Sequence, residues 1–183
     1  PVIGLQPNDT LVSSNLFQLF GLKPMCLLDT SGIISQNRCR EQAVGKSFVN
    51  TDEVTIIMAM LQLFSHFNSS SEYSCKIAVI SPYKAQVRLI NKTIAKHVTN
   101  NCSNSCFFRS IEVNTIDGFQ GREKDIVLLS TVRSGGHSIG FVADDRRLNV
   151  AITRARRCCI VVGDVLSLGR SLSSWKSLVL SLL

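Results

Sequence analysis

Three runs limit what this chain can fold into: Lys76-Ile-Ala-Val-Ile80, Asp125-Ile-Val-Leu-Leu-Ser130 and Cys158-Cys-Ile-Val-Val162. Each is apolar at successive positions and rich in branched side chains, the composition of strands in a parallel sheet covered on both faces. Met25-Cys-Leu-Leu-Asp29, stopped by a Thr-Ser-Gly turn, reads as a further buried strand, and Ile111-Glu-Val-Asn114 as a short one. Helical patterns alternate with them. Asn50-Thr-Asp-Glu53 has a capping-box arrangement and opens a helix with Ile56, Ile57, Met60, Leu61 and Phe64 at helical spacing. Ser81-Pro-Tyr leads into a helix with Val87, Ile90 and Ile94 on one side, and Pro82 suits its first turn. Asp144 to Arg156 reads as a helix with acids at its start and arginines at its end, as the helix dipole prefers. Residues 165–183 look helical. The alternation predicts a parallel, three-layer α/β sheet with helices on both faces.

At 183 residues, 45% hydrophobic and 18% charged, the chain is sized and composed as one α/β domain over residues 25–183. Residues 1–24 read as an irregular N-terminal segment that continues from an upstream part, and residues 30–46 as a polar loop. No apolar run approaches the roughly 18–20 residues of a membrane span, and no secretory signal is visible. The seven cysteines are an odd, scattered set lying mostly in apolar runs. That use suits buried thiols in a reducing, intracellular compartment, nuclear or cytoplasmic. His97, Cys102 and Cys106 match no usual zinc spacing, and the 97–106 region reads as a polar Asn/Ser-rich loop with no metal. Net charge is +7, and six arginines against two acids lie between Arg133 and Arg157. A local basic excess of this kind often meets a polyanion.

Ligands of open α/β sheets bind beyond the carboxyl ends of the strands, which selects Ser81-Pro-Tyr, Asp117–Glu123 and Gly163-Asp164. In Asp117-Gly-Phe-Gln-Gly-Arg-Glu123 the glycines permit tight backbone approach, while Gln120 and Glu123 offer directed hydrogen bonds. A polar turn anchored by Phe119 is the plainer account. Arg147 and Arg154 lie seven apart along one helix side, with Leu148, Ala151, Ile152 and Ala155 as the apolar stripe. Either Arg154, Arg156 and Arg157 complement the helix dipole, or arginine meets phosphate in bidentate fashion; spacing does not choose. Ser81-Pro-Tyr-Lys-Ala-Gln86 places a hydroxyl, a ring, an ammonium and an amide at one helix start, where a phosphate or a stacked base could sit. A plain capped helix with Tyr83 packed inward is the alternative. Nowhere is there a Gly-x-x-x-x-Gly-Lys-Ser/Thr phosphate loop, since Arg40 stands five before Gly45-Lys46-Ser47.

Read together, four segments resemble, in order, the C-terminal RecA-like domain of superfamily 1 helicases. They are Ser47-x-x-Asn50-x-x-Glu53, Ser81-Pro-Tyr-x-x-Gln86, Thr115-x-Asp-x-Phe-Gln-Gly-Arg-Glu-Lys-Asp125 with Ser130-Thr-Val-Arg133, and Ile139-Gly-Phe141 with Arg146–Arg156. The group resembled is the 5′-to-3′ one that includes the nonsense-mediated-decay helicase, senataxin and the immunoglobulin mu-binding-protein helicase. About residues 25–165 share the likeness.

The resemblance implies a RecA-like second domain that lacks the phosphate loop, working in an ATP-dependent DNA or RNA helicase. Arg154 would be the arginine finger for the γ-phosphate, with Gln120, Gly121 and Glu123 lining the nucleotide side of an interdomain cleft. Ser81, Pro82, Tyr83, Thr115, Asp117 and Arg133 would face the single strand. ATP with Mg is the implied cofactor, its Mg ligands on an N-terminal RecA-like domain of the same protein. The isolated chain would therefore be inactive. A RecA-like module that only binds nucleic acid or protein, and an unrelated small α/β enzyme, are the other readings.

Overall fold

A computed structural model describes residues 23–34, 40–68, 75–100, 104–134 and 144–169. Along the chain run β1 (Met25–Asp29), α1 (Ser31–Ile34), β2 (Gln42–Val44), β3 (Ser47–Val49), α2 (Thr51–Asn68), β4 (Ile77–Ser81) and α3 (Lys84–Asn100). Next come α4 (Ser105–Ser110), β5 (Glu112–Thr115), a 3-10 turn (Asp117–Phe119), β6 (Lys124–Ser130), α5 (Asp145–Ile152), β7 (Ala155–Gly163) and α6 (Val165–Gly169). The five strands other than β2 and β3 form one parallel sheet in the order β1-β7-β6-β4-β5.

Alternation along the central strands separates two cores. Ile77, Val79, Ile126, Leu128, Cys158, Ile160 and Val162 face α2, α3 and α4 through Ile57, Leu61, Phe64, Ile90 and Phe108. Ala78, Ile80, Val127, Leu129, Cys159 and Val161 face the opposite way, onto Phe119 and, through Leu148, Ala151 and Leu168, onto α5 and α6. Because both faces are covered, the strand runs are apolar throughout rather than alternating. The three-layer α/β sheet expected from the sequence is the observed architecture.

The differences from expectation have local causes. Residues 42–49, within and just beyond the expected polar loop, form the antiparallel β2–β3 hairpin, with Gly45 at positive φ in its turn. Gly45-Lys46-Ser47 is therefore a hairpin tip. The expected Asn/Ser-rich loop of residues 97–106 overlaps the end of α3 and the start of α4, whose Phe108 is buried. Helix α5 stops at Ile152, not Arg156, because pairing of β7 with β6 captures the chain from Ala155 onward. Arg156 and Arg157 are thus strand residues and cannot complement a helix dipole. Helix α3 begins at Lys84, so Pro82 precedes it; its first turn closes through Val87 N–H to the Tyr83 carbonyl at 3.1 Å. Residues 1–22, Ile139-Gly-Phe141 and the helix expected beyond Gly169 lie outside the described residues.

Candidate functional site

The candidate residues divide between the two edges of the sheet. At the amino edge, Lys124 pairs in register with Ala155, and Lys124 N–H donates to the Arg154 carbonyl at 3.0 Å. Arg154 sits in the turn between α5 and β7. Its Nε donates to the Val150 carbonyl at 3.1 Å, which anchors the stem. Its terminal nitrogens make only longer contacts, Nη1 to the Arg122 carbonyl at 3.5 Å and Nη2 to Thr153 Oγ1 at 3.3 Å. The fork therefore lies at the surface beside the exposed Gln120–Glu123 segment. Glu123 accepts from Arg156 Nε at 3.0 Å rather than from Arg154. Arg122 pairs with Glu112, which Lys124 also approaches at 3.1 Å.

The segment 117–123 is not confined to the carboxyl edge, as the strand-end rule suggested. It starts there, where Ile116 N–H donates to the Ser81 carbonyl at 3.3 Å, and returns across the sheet to enter β6 at the amino edge. Two features hold this return path. Phe119 is fully buried against the second core. A Cβ on Gly118 would meet the Asn114 side-chain oxygen and force that side chain to move, and Gly121 has φ +79° where the path turns. The anchored polar turn and the exposed amide and carboxylate are both present, on opposite sides of one segment.

At the carboxyl edge Asp117 is exposed and takes both Arg147 Nε and Nη2, at 3.1 and 3.2 Å. Asp144 caps α5 by accepting from Arg146 N–H at 3.0 Å. Helix α5 thus spans the sheet, with Arg147 on Asp117 at one edge and Arg154 beyond its other end. Thr115 is half-buried, and its Oγ1 accepts from Gly118 N–H at 3.1 Å. Ser81 and Tyr83 require correction as strand-facing groups. Ser81 is fully buried between β5 and β6, and Tyr83 packs edge-on against Phe48 with centroids 5.5 Å apart. They build the edge from beneath; exposed cations there include Lys84 and Arg146. Asp164 is likewise committed inward, capping α6 through Leu166 and Ser167 N–H. Arg133 lies 4.3 Å above the Phe48 ring, with Nε 3.4 Å from Glu41 Oε1.

Beneath this edge lies a buried polar network that sequence reading missed. Asn50 caps α2 through Glu53 N–H at 3.1 Å, but the Glu53 carboxyl does not return to close a capping box. It accepts instead from Ser130 Oγ at 2.5 Å and from Val132 N–H at 2.9 and 3.0 Å. Gln86 bonds Asn50 N–H, the Asn50 carbonyl and Ser130 Oγ at 2.9, 3.1 and 3.0 Å. The signal was periodicity: Glu53 is in phase with Ile57, Leu61 and Phe64, and Gln86 with Ile90 and Ile94. A polar residue on a buried stripe must find a buried partner.

The AAA domain family matches residues 7–166 of this chain. The chain belongs to that family. Similar proteins include Helicase SEN1 of Saccharomyces cerevisiae, 36% identical over 161 residues that are 86% of this chain and 7% of that one. DNA polymerase alpha-associated DNA helicase A of the same yeast is 38% identical over 83% of this chain and 21% of its own. Regulator of nonsense transcripts 1 of Dictyostelium discoideum is 40% identical over 74% and 10%. The chain is a superfamily 1 helicase domain of the group these relatives represent, and it spans less than a quarter of their length.

Within this helicase domain Glu53 is the most perturbed carboxyl that bears on an edge. Burial raises its pKa from 4.5 to about 8, against the lowering effect of the Ser130 and Val132 hydrogen bonds; Asp164 and Glu41 add to the rise. Between those two values the folded state keeps a proton that the unfolded chain has released. The stabilising contribution is complete below pH 4.5 and disappears as pH rises through about 8. Denaturant unfolding midpoints should therefore fall from about pH 5 to about pH 9, and Glu53→Gln should remove that component of the slope. No helix among the described residues is long and apolar enough to cross a membrane.

Proposed function

We propose that this chain is the C-terminal motor domain of an ATP-dependent nucleic-acid helicase or translocase. One observation carries the reading: α5 links two edges of one sheet, holding Asp117 through Arg147 at one and presenting Arg154 at the other. At the amino edge, Arg154 meets the γ-phosphate of ATP bound on an N-terminal RecA-like domain of the same protein. With Nε anchored and the terminal nitrogens in longer contacts, the Nη1–Nη2 end of the planar fork offers a bidentate contact, which arginine geometry favours. Gln120 and Glu123 line the same cleft, with Gly121 turning the backbone between them. The Mg that accompanies ATP takes its protein ligands from that N-terminal domain, on this reading. An arginine placed across a cleft makes closure depend on ATP, and closure moves this domain along its strand.

At the carboxyl edge, Pro82, Thr115, Asp117 and Arg133 form the strand face, with Lys84 and Arg146 as exposed phosphate partners. Backbone contacts of this kind read charge rather than sequence. Single-stranded DNA or RNA binding should weaken with salt at a log–log slope of about −2, as for three neutralised phosphates at about −0.7 each. Titration of a fluorescent oligonucleotide across salt concentrations measures it, and a flat dependence would remove the strand face. A non-catalytic binding module is the second reading, favoured by the three contacts Arg154 makes within its own domain. ATP turnover in the Arg154 variants separates the two.

A further inference from the structure

The chain leaves β6 through a strained turn. Val132, a branched residue, has φ +70°, and Arg133 N–H donates to the Thr131 carbonyl at 2.8 Å across it. A three-residue turn with its centre at positive φ is rare and unfavourable for any residue with a Cβ. Such a conformation persists only where its surroundings over-determine it. Here two side chains from the start of α2 do so. Both Glu53 oxygens accept from Val132 N–H, at 2.9 and 3.0 Å, and Asn50 Nδ2 donates to the Val132 carbonyl at 3.2 Å. The Val132 side chain is fully buried in the second core.

The turn delivers Arg133 to the strand edge, and the buried Ser134 follows it. Arg133, next in the chain, is laid over Phe48 and beside Glu41. Ser134 N–H then donates to Glu41 Oε2 at 2.9 Å, and Ser134 Oγ accepts from Glu41 N–H at 3.1 Å, fastening the exit to the β2–β3 hairpin. We propose that Glu53, with Asn50, is a positioning residue for strand binding: it holds Val132 in the strained turn that sets Arg133 on the carboxyl edge. The proposal rests on reading that edge as the strand face.

The test uses the full-length protein, fluorescein-labelled oligothymidine and oligouridine, and amide hydrogen exchange over residues 131–134 without nucleic acid. Glu53→Gln should raise the strand Kd about tenfold and speed exchange in the turn. Asn50→Ser, which keeps a cap acceptor but lacks the donor to Val132, should do the same more weakly, about threefold, and serves if the Glu53 variant does not fold. Val132→Gly should restore both readouts in the Glu53→Gln background, because glycine adopts this φ without a Cβ penalty. A buried acid needed only for packing would not be rescued in this way. Absence of rescue, or an unchanged Kd in folded Glu53→Gln and Asn50→Ser proteins, overturns the positioning role. Arg133→Ala separates this failure from the broader one. If it weakens binding while Glu53→Gln does not, only the positioning role is lost; if neither does, the strand edge itself is misassigned.

Discussion

Arg154→Ala in the full-length protein is expected to cut ATP turnover by about 10³-fold while ATP affinity changes far less. The reason is where charge develops. As the γ-phosphoryl transfers, negative charge spreads over its oxygens, and a guanidinium placed there stabilises the transition state more than the bound substrate. Loss of the contacts to Val150, Arg122 and Thr153 has a small structural cost, because surface hydrogen bonds contribute about 1 kcal/mol each or less. Unfolding midpoints of wild type and variant should therefore lie close together. Arg154→Lys, which keeps the charge and loses the planar fork, should recover only part of the turnover. Steady-state ATPase with saturating single strand checks this, and turnover within a few-fold of wild type removes the finger assignment.

Phe119→Ala is expected to destabilise the domain by about 3–5 kcal/mol, the range for deleting a buried aromatic ring. Phe119 is fully buried and contributes the ring by which an otherwise exposed, polar segment adheres to the sheet. The second core it joins includes Ala78, Ile80, Val127 and Leu129 of two paired strands, which limits collapse into the cavity. Phe119→Leu, closer in volume, should cost much less, about 1.5 kcal/mol. Denaturant unfolding of both variants decides it. A loss below about 1 kcal/mol for the alanine would mean the ring does not anchor the 117–123 path.

Both predictions concern one region, and its residues disclose only part of its structure. That Asp117–Glu123 joins a buried ring to exposed polar groups is legible in its residues: a lone Phe between glycines, then an amide and a carboxylate. Where those groups end up is not. The strand-end rule puts Glu123 at the carboxyl edge, yet it stands at the amino edge, because the connection between two parallel strands must return across the sheet before the next strand begins. Ser81 and Tyr83 differ from expectation for a related reason. A hydroxyl and a ring at the end of a strand look available on paper, yet Ser81 is enclosed between β5 and β6 and the Tyr83 ring packs on Phe48 of β3.

By itself, the sequence determined the layers and the strand runs that form them. Continuous apolar strands can only be satisfied between two sets of helices, and that requirement is local enough to be written in single runs of residues. Strand order, the opposition of Arg154 to Arg133 across one sheet, and the meeting of Glu53, Gln86 and Ser130 under the turn at Val132 were decided by the tertiary structure alone. These join residues up to 79 apart in the chain. Nothing in the neighbourhood of any one of them encodes its partner, because pairing between distant strands is selected by the energy of the packed whole.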